Sequence, residues 1–188
     1  MTIGFAFTGS FCTFAAAMDA LQLVKETFGN VVPLFSRHAA TLDTRFGKAE
    51  DHIRRAEAIC GSPAILTIPD AEPVGPKKLF DALVICPCTG NTMAKIAAGI
   101  NDTPVTMAAK SQLRNGRPVI LAPSTNDGLS GSAANLGLLL HRRQIYLVPF
   151  RQDDPENKPR SISSDLSLLC DTVSAALEGR QLQPILRA

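Results

Sequence analysis

Residues 82–92 decide the fold, and their sequence is Ala82-Leu83-Val84-Ile85-Cys86 followed by Pro87-Cys88-Thr89-Gly90-Asn91-Thr92. The first five residues are continuously apolar, which is typical of a central parallel strand that is covered on both faces. Pro87 ends the strand, Gly90 allows the backbone to approach a ligand closely, and Asn91 begins a helical pattern. A strand that leads through a short polar loop into a helix is the repeating unit of an α/β sheet.

The same alternation extends along the whole chain in both directions. We predict strands at residues 3–7, 31–35, 64–68, 82–86, 119–122 and 145–150. Helices are predicted at residues 14–28, 48–60, 91–100, 105–114, 128–142 and 163–178, and loops at 36–47, 69–76 and 151–160. The pattern predicts a single α/β domain over residues 1–188, with a three-layer, doubly wound, mainly parallel six-stranded sheet of the Rossmann-like type. Ligands of such sheets bind outside the carboxyl ends of the strands.

Composition excludes several classes of protein. The chain has 188 residues, 45% of them hydrophobic and 19% charged, which is typical of a globular domain. The net charge of +2 is too small to indicate a nucleic-acid surface. Because no apolar run has the length of a membrane span and the N-terminus lacks a basic signal region, we expect a cytoplasmic protein without a membrane partner. The five cysteines lack a second pair or a histidine cluster at zinc spacing, so no metal site is expected.

Three loops at the predicted carboxyl edge contain candidate site residues. Thr8-Gly9-Ser10 precedes a helix, where free N–H groups and the helix dipole favour a phosphate. The second loop is residues 87–92, and the third is residues 123–128, which include Asn126. Helix capping is the alternative explanation for the polar residues of each loop. The chain lacks a Gly-x-Gly-x-x-Gly fingerprint, so it is not expected to bind a nicotinamide nucleotide by itself.

The Thr8-Gly9-Ser10 loop and residues 87–102 resemble the flavoprotein family of homo-oligomeric, flavin-containing cysteine decarboxylases. The resemblance implies bound FMN and trimer-based homo-oligomers. It also implies that Asn91 and Asn126 take part in catalysis, and that the cofactor contacts Thr8, Gly9, Ser10, Ser36, Cys88, Thr89, Gly90 and Asn91. The decarboxylases have a histidine shortly before the fourth strand, whereas this chain has Glu72-Pro73-Val74-Gly75-Pro76 there. A stand-alone FMN-dependent decarboxylase is therefore only an alternative function.

Further motifs are similar to a narrower group within that family, the B subunits of a two-subunit enzyme of spore-forming bacteria. These motifs include residues 44–47 (Thr-Arg-Phe-Gly), 124–127 (Ser-Thr-Asn-Asp), 152–155 (Gln-Asp-Asp-Pro) and 183–186 (Gln-Pro-Ile-Leu). The resemblance implies a dehydrogenase-like A subunit that carries NADP. The two subunits would oxidise dihydrodipicolinate, or its hydroxylated precursor, to pyridine-2,6-dicarboxylate in the mother cell during sporulation. The alternative is a non-catalytic partner that stabilises or regulates the A subunit.

A dicarboxylate substrate requires cationic side chains, and the planar guanidinium of arginine can bind a carboxylate in a bidentate manner. Arg45 and Arg151 lie in predicted loops near carboxyl edges, so we predict that they bind the substrate. Arg37, Lys158 and Arg160 are second-choice candidates, and solvation at the surface is the alternative for each. His52 and His141 are expected at the surface, and no Ser-His-Asp or Cys-His constellation can be assembled from the sequence.

Overall fold

The computed structural model describes residues 1–187 and has one sheet between two layers of helices. The sheet has seven strands in the order β2-β1-β3-β4-β7-β6, and β5 also pairs with β4. The strands are β1 (Thr2–Phe7), β2 (Asn30–Phe35), β3 (Ala82–Cys88), β4 (Val119–Thr125), β5 (Ile145–Leu147), β6 (Phe150–Asp154) and β7 (Lys158–Ser164). The strands β1 to β5 are parallel to one another, whereas β7 pairs antiparallel with both β4 and β6.

The helices cover both faces of the sheet. They are α1 (Phe14–Phe28), α2 (Arg37–Thr41), α3 (Ala49–Cys60), α4 (Ile68–Ala71), α5 (Gly90–Ala98), α6 (Pro104–Arg114), α7 (Ala133–His141) and α8 (Leu169–Leu177). The predicted ends of α1 and α3 are confirmed, because Gly29 and Gly61 follow these helices with φ of 82° and 67°, which glycine adopts without steric cost. Within residues 1–187, no helix is long and apolar enough to cross a membrane.

The core lies on the two faces of the parallel strands. Phe5, Phe7 and Phe35 pack with α1, α3 and α8 on one face, whereas Leu83 and Ile85 pack with α5, α6 and α7 on the other. Both faces are buried, which explains the continuously apolar sequence of the central strands. The predicted three-layer, doubly wound α/β fold is confirmed.

Several predicted elements differ in type from those observed, and the loops predicted at residues 36–47 and 69–76 contain the short helices α2 and α4. Residues 64–68 do not form a strand, because only an isolated bridge joins Ile65 to Leu34, and Thr67 already caps α4 by accepting from the N–H of Asp70. Residues 151–160, predicted as a loop, belong to the hairpin of β6 and β7. Mostly exposed polar side chains gave this hairpin no apolar pattern. The sheet therefore has seven strands rather than six, and the helices predicted from residues 128 and 163 begin only at Ala133 and Leu169.

Candidate functional site

A cavity of about 1140 Å³ opens at the carboxyl edge of the sheet. The loops that follow β1, β3 and β4 form one side of it, and strand β7 forms the other. Its polar lining includes Ser10, Thr13, Thr89, Asn91, Ser124, Asn126, Asp127, Asp153, Lys158, Arg160 and Ser161. The carboxyl ends of three neighbouring strands thus meet at one site, as the fold predicts.

Thr8 joins the first two loops from inside the protein. Its hydroxyl donates to the carbonyl of Pro87 at 2.7 Å and accepts from the N–H of Thr89 at 3.2 Å. Only 1% of Thr8 is exposed, and the residue does not line the cavity. The Thr8 hydroxyl thus holds the loop after β3 in place, and the contact of Thr8 with a cofactor stays a prediction.

Ser10 joins the first loop to the third. The Ser10 hydroxyl donates to the carbonyl of Ser124 at 2.7 Å, and the hydroxyls of Thr13 and Ser124 are 3.0 Å apart. The backbone N–H groups of Gly9 and Ser10 have no acceptor among the described residues. Ser10 lines the cavity, and the binding of a phosphate by these two amides stays a prediction.

The N-terminus of α5 forms the middle of the site. Thr89 caps this helix, because its hydroxyl oxygen accepts from the N–H of Thr92 at 3.1 Å. Gly90 is buried, and a Cβ at its position would be 2.4 Å from Oγ of Ser132. Asn91 is exposed and lines the cavity, and its carboxamide has no hydrogen-bond partner within residues 1–187. The structure therefore leaves Asn91 free to bind a ligand.

Asp127 organises the loop after β4. Its Oδ1 atom accepts from the hydroxyls of Thr125 at 2.6 Å and Ser132 at 2.8 Å. These hydrogen bonds, that of Thr125 above all, lower the pKa of Asp127 below its ordinary value of 3.8. Asp127 is consequently a carboxylate at neutral pH. The neighbouring Asn126 is exposed and lines the cavity beside it, and its part in catalysis stays a prediction.

The cations that line the cavity are the second-choice candidates of the sequence analysis, Lys158 and Arg160, rather than Arg45 and Arg151. Lys158 and Arg160 lie on β7 and line the cavity, and Lys158 is 3.2 Å from a carboxylate oxygen of Asp153. The Arg160 guanidinium has no carboxylate within 4.0 Å in the described part of the chain. Arg45 does not line this cavity, and its guanidinium carbon lies 4.8 Å from the centroid of the Phe46 ring, so the cavity lends no support to the prediction that Arg45 binds the substrate.

Arg151 lines a neighbouring cavity of about 320 Å³. This smaller cavity shares Thr13, Asp153 and Ser163 with the larger one. Arg151 is therefore adjacent to the site without lining its main cavity.

Two further predicted cofactor residues are also buried away from the cavity. Ser36 caps α2 by accepting from the N–H of Ala39 at 3.4 Å, and Cys88 is fully buried at the end of β3. Burial raises the pKa of the Cys88 thiol far above its ordinary range and that of Cys86 to about 12. Neither residue lines the cavity, and their contact with a cofactor stays a prediction.

His52 was expected at the surface, but it packs edge-on against the ring of Phe14 with their centroids 5.0 Å apart. Its Nε2 atom is buried without a hydrogen-bond partner. Across residues 1–187, no group of three or more His, Cys, Asp or Glu side chains is placed to hold a metal ion.

The Flavoprotein family model matches residues 1–146, so the chain belongs to the Flavoprotein family. The chain is 42% identical over 184 residues to the dipicolinate synthase B subunit of Bacillus subtilis, and the match covers 98% of this chain and 92% of that protein. The crystal structure of the dipicolinate synthase B subunit from Bacillus halodurans superposes with a TM-score of 0.91 at 38% identity, covering 100% of this chain and 96% of that one. The resemblance of the sequence motifs to the B-subunit group is thereby confirmed.

More distant structures share the fold. A dodecameric FMN-dependent UbiX-like decarboxylase from Escherichia coli O157:H7 has a TM-score of 0.65 at 24% identity, covering 79% of this chain and 80% of that one.

Proposed function

We propose that this chain is the B subunit of a dipicolinate synthase and acts with a dehydrogenase-like A subunit that carries NADP. Together they oxidise dihydrodipicolinate, or its hydroxylated precursor, to pyridine-2,6-dicarboxylate in the cytoplasm of the mother cell. The names and the high identity of the two B-subunit relatives support the two-subunit enzyme. The absence of a dinucleotide fingerprint in this chain supports an NADP site on the partner.

The observation that carries the proposal is the guanidinium of Arg160 in the main cavity, which has no carboxylate within 4.0 Å among residues 1–187. Lys158 and the carboxamides of Asn91 and Asn126 line the same cavity. A guanidinium and an ammonium can each bind one carboxylate of a small dicarboxylate, with charge-assisted hydrogen bonds. The carboxamides offer donors and acceptors to the ring between the two carboxylates. Asp127 has a lowered pKa and is therefore a weak base, so its role is to hold Thr125 and Ser132 in place.

The cavity also fits FMN. Its volume exceeds about 1,000 Å³, the upper end of the range for pockets that bury drug-sized ligands. The backbone amides of Gly9 and Ser10, which have no acceptor among residues 1–187, can donate to a phosphate. Ser10, Thr89, Gly90 and Asn91 would hold the cofactor. FMN, when bound, supplies a ring system that accepts and donates a pair of electrons.

FMN binding is tested by titrating the purified chain with FMN and following the flavin absorbance and fluorescence. Asn91→Ala should weaken binding at least about tenfold, because it removes hydrogen bonds that a buried ring requires. Asn30→Ala is the matched control, since Asn30 is exposed at the opposite end of β2. Wild-type protein that neither contains nor binds FMN would refute the flavin site.

The reaction is tested with the co-purified subunits by measuring the dependence of the rate on the dicarboxylate concentration. Arg160→Ala should raise KM about tenfold or more, because a hydrogen bond to a charged group contributes about 1.5–3 kcal/mol. Arg45→Ala should leave KM unchanged, since Arg45 lies outside the cavity. If Arg160→Ala has wild-type kinetics, the substrate is not bound in this cavity.

A non-catalytic role beside the A subunit is the second candidate, and one observation favours it. The residues that line the main cavity include no histidine that could transfer protons near neutral pH. If the A subunit is fully active with both the Asn91→Ala and Arg160→Ala variants, the chain stabilises its partner without contributing to the reaction.

We also propose a trimer-based homo-oligomer. One distant structural relative is described as dodecameric and another as a cubic protein cage. Helix α7 exposes Leu138 and Leu140, with 60% and 46% of their surfaces accessible, and Ile100 after α5 is 48% exposed. Light scattering of the purified chain should give a multiple of three protomers, and a monomer would contradict the proposal.

A further inference from the structure

A second cavity of about 400 Å³ lies away from the site described above. It is formed by the C-terminal end of α5, one face of α6 and the residues that follow α7. It shares no lining residue with the main cavity. Its volume lies within the range of about 300–1,000 Å³ that is typical of small-molecule sites.

Three cations line this second cavity, namely Lys110, Arg142 and Arg143, and among residues 1–187 no carboxylate lines it. Arg142 is oriented by a hydrogen bond of 2.9 Å from its Nη1 atom to the carbonyl of Ile96. Lys110 and Arg143 have no carboxylate within 4.0 Å in the part of the chain that is described. The cavity therefore has an uncompensated positive charge, which favours a ligand with more than one negative group.

The rest of the lining is largely apolar. Ile96, Ala109 and Leu113 belong to the core cluster of this face or pack against it. Two uncharged polar residues also line the cavity: the Thr106 hydroxyl is hydrogen-bonded to Thr103 at 2.9 Å, and the Asn101 amide donates to the carbonyl of Gly99 at 2.7 Å. An apolar floor between cations suits a flat ring with acidic substituents rather than a small, fully hydrated anion.

We propose that this cavity is a second small-molecule site, which binds a planar aromatic dicarboxylate. Lys110 and Arg143 bind the carboxylates, and the ring lies against Ile96, Ala109 and Leu113. The choice of an aromatic dicarboxylate rests on the proposed function, because that is the chemical class of its product. The site is distinct from the main cavity, so product can occupy it while substrate is bound.

The test uses isothermal titration calorimetry of the intact chain with pyridine-2,6-dicarboxylate in metal-free buffer. The wild-type protein should bind two equivalents. The double variant Lys110→Ala/Arg143→Ala should weaken one of them at least about tenfold, and Arg160→Ala should weaken the other. Lys48→Ala/Lys77→Ala removes the same charge from exposed positions elsewhere and should bind as the wild type does.

Two further ligands test the stated chemistry. Pyridine-2-carboxylate keeps the ring but has one carboxylate, so it should bind the second cavity about tenfold more weakly or worse. Inorganic phosphate should bind still more weakly, and equal affinity for phosphate would overturn the assignment of a planar ligand.

The outcomes for the two cavities are separable. If Lys110→Ala/Arg143→Ala retains both equivalents at wild-type affinity, the second site is refuted and the proposed function is untouched. If this variant abolishes all binding while Arg160→Ala has no effect, the second site stands and dicarboxylate binding in the main cavity is refuted. The Lys110→Gln/Arg143→Gln variant, which conserves side-chain bulk better, should give the same result as the alanine variant.

Discussion

A single added methyl group at Gly90 should destabilise the packing of the site. A Cβ there would be 2.4 Å from Oγ of Ser132 and 3.0 Å from both Oδ1 of Asp127 and Oγ1 of Thr125. These three side chains form the hydrogen-bonded group around Asp127, so none can move without breaking a contact. Overpacking costs about 1–3 kcal/mol. A lost hydrogen bond to a charged group costs about 1.5–3 kcal/mol.

We therefore expect Gly90→Ala to lower the free energy of unfolding by about 2.5–6 kcal/mol, the sum of these two costs. The measurement is urea unfolding followed by circular dichroism, with the slope of the transition compared between variants. Gly137→Ala is the matched control, because Gly137 lies inside helix α7 and a Cβ there meets nothing within 4 Å. That substitution should stabilise the protein by about 0.5–1 kcal/mol, since alanine is the better helix former.

A double variant isolates the contact itself. Ser132→Ala removes the oxygen that lies closest to the added methyl group, so Gly90→Ala should cost less in that background than in the wild type. The two changes should couple by about 0.5–3 kcal/mol, as is usual for residues in contact. If Gly90→Ala is as stable as the wild type, or if its cost is the same with and without the Ser132 hydroxyl, the proposed close packing at this helix N-terminus is refuted.

Three other predictions follow from buried or charged groups. Thr8→Val should lower the free energy of unfolding by about 1–3 kcal/mol in urea, because it leaves buried backbone groups unpaired; unchanged stability would contradict the role assigned to this hydroxyl. Because the folded-state pKa of Asp127 lies below 3.8, its carboxylate contributes stability above pH 3.8 that is lost as the pH falls through the folded-state value. Thr125→Val should raise the pKa of Asp127, so that the free energy of unfolding falls less steeply below pH 3.8 than in the wild type. If the dependence on acidic pH is unchanged, the hydrogen bond from Thr125 is not what lowers this pKa. Cys12 is exposed and should react with a disulfide reagent in the native protein. Cys86, whose pKa burial raises to about 12, should react only after unfolding, as mapped by mass spectrometry of the labelled peptides.

Local sequence patterns predicted the parallel strands and their helices, because burial of a strand and the end of a helix both leave a signal in neighbouring residues. Strand β3 is buried on both faces and its sequence is therefore continuously apolar, and α1 ends at the glycine that follows it. Residues 64–68 have a similar apolar pattern but form only one bridge to the edge strand β2, because the chain turns at once into α4, which Thr67 caps. The β6–β7 hairpin was missed for the opposite reason, because most of its side chains face solvent and lack an apolar signal.

The sequence by itself predicted that the loops after β1, β3 and β4 lie together, because the carboxyl ends of parallel strands meet at one edge of the sheet. It did not predict strand β7, which forms the other side of the cavity. It did not determine which side chains of those loops face the cavity. Thr8 and Ser10 are two residues apart, yet the Thr8 hydroxyl is buried against Pro87 whereas Ser10 lines the cavity. Likewise, Arg160 reaches the cavity only because β7 pairs antiparallel with the end of β4. These facts depend on the distances between distant segments of the chain, which are set by packing and strand register and are not encoded in any local pattern.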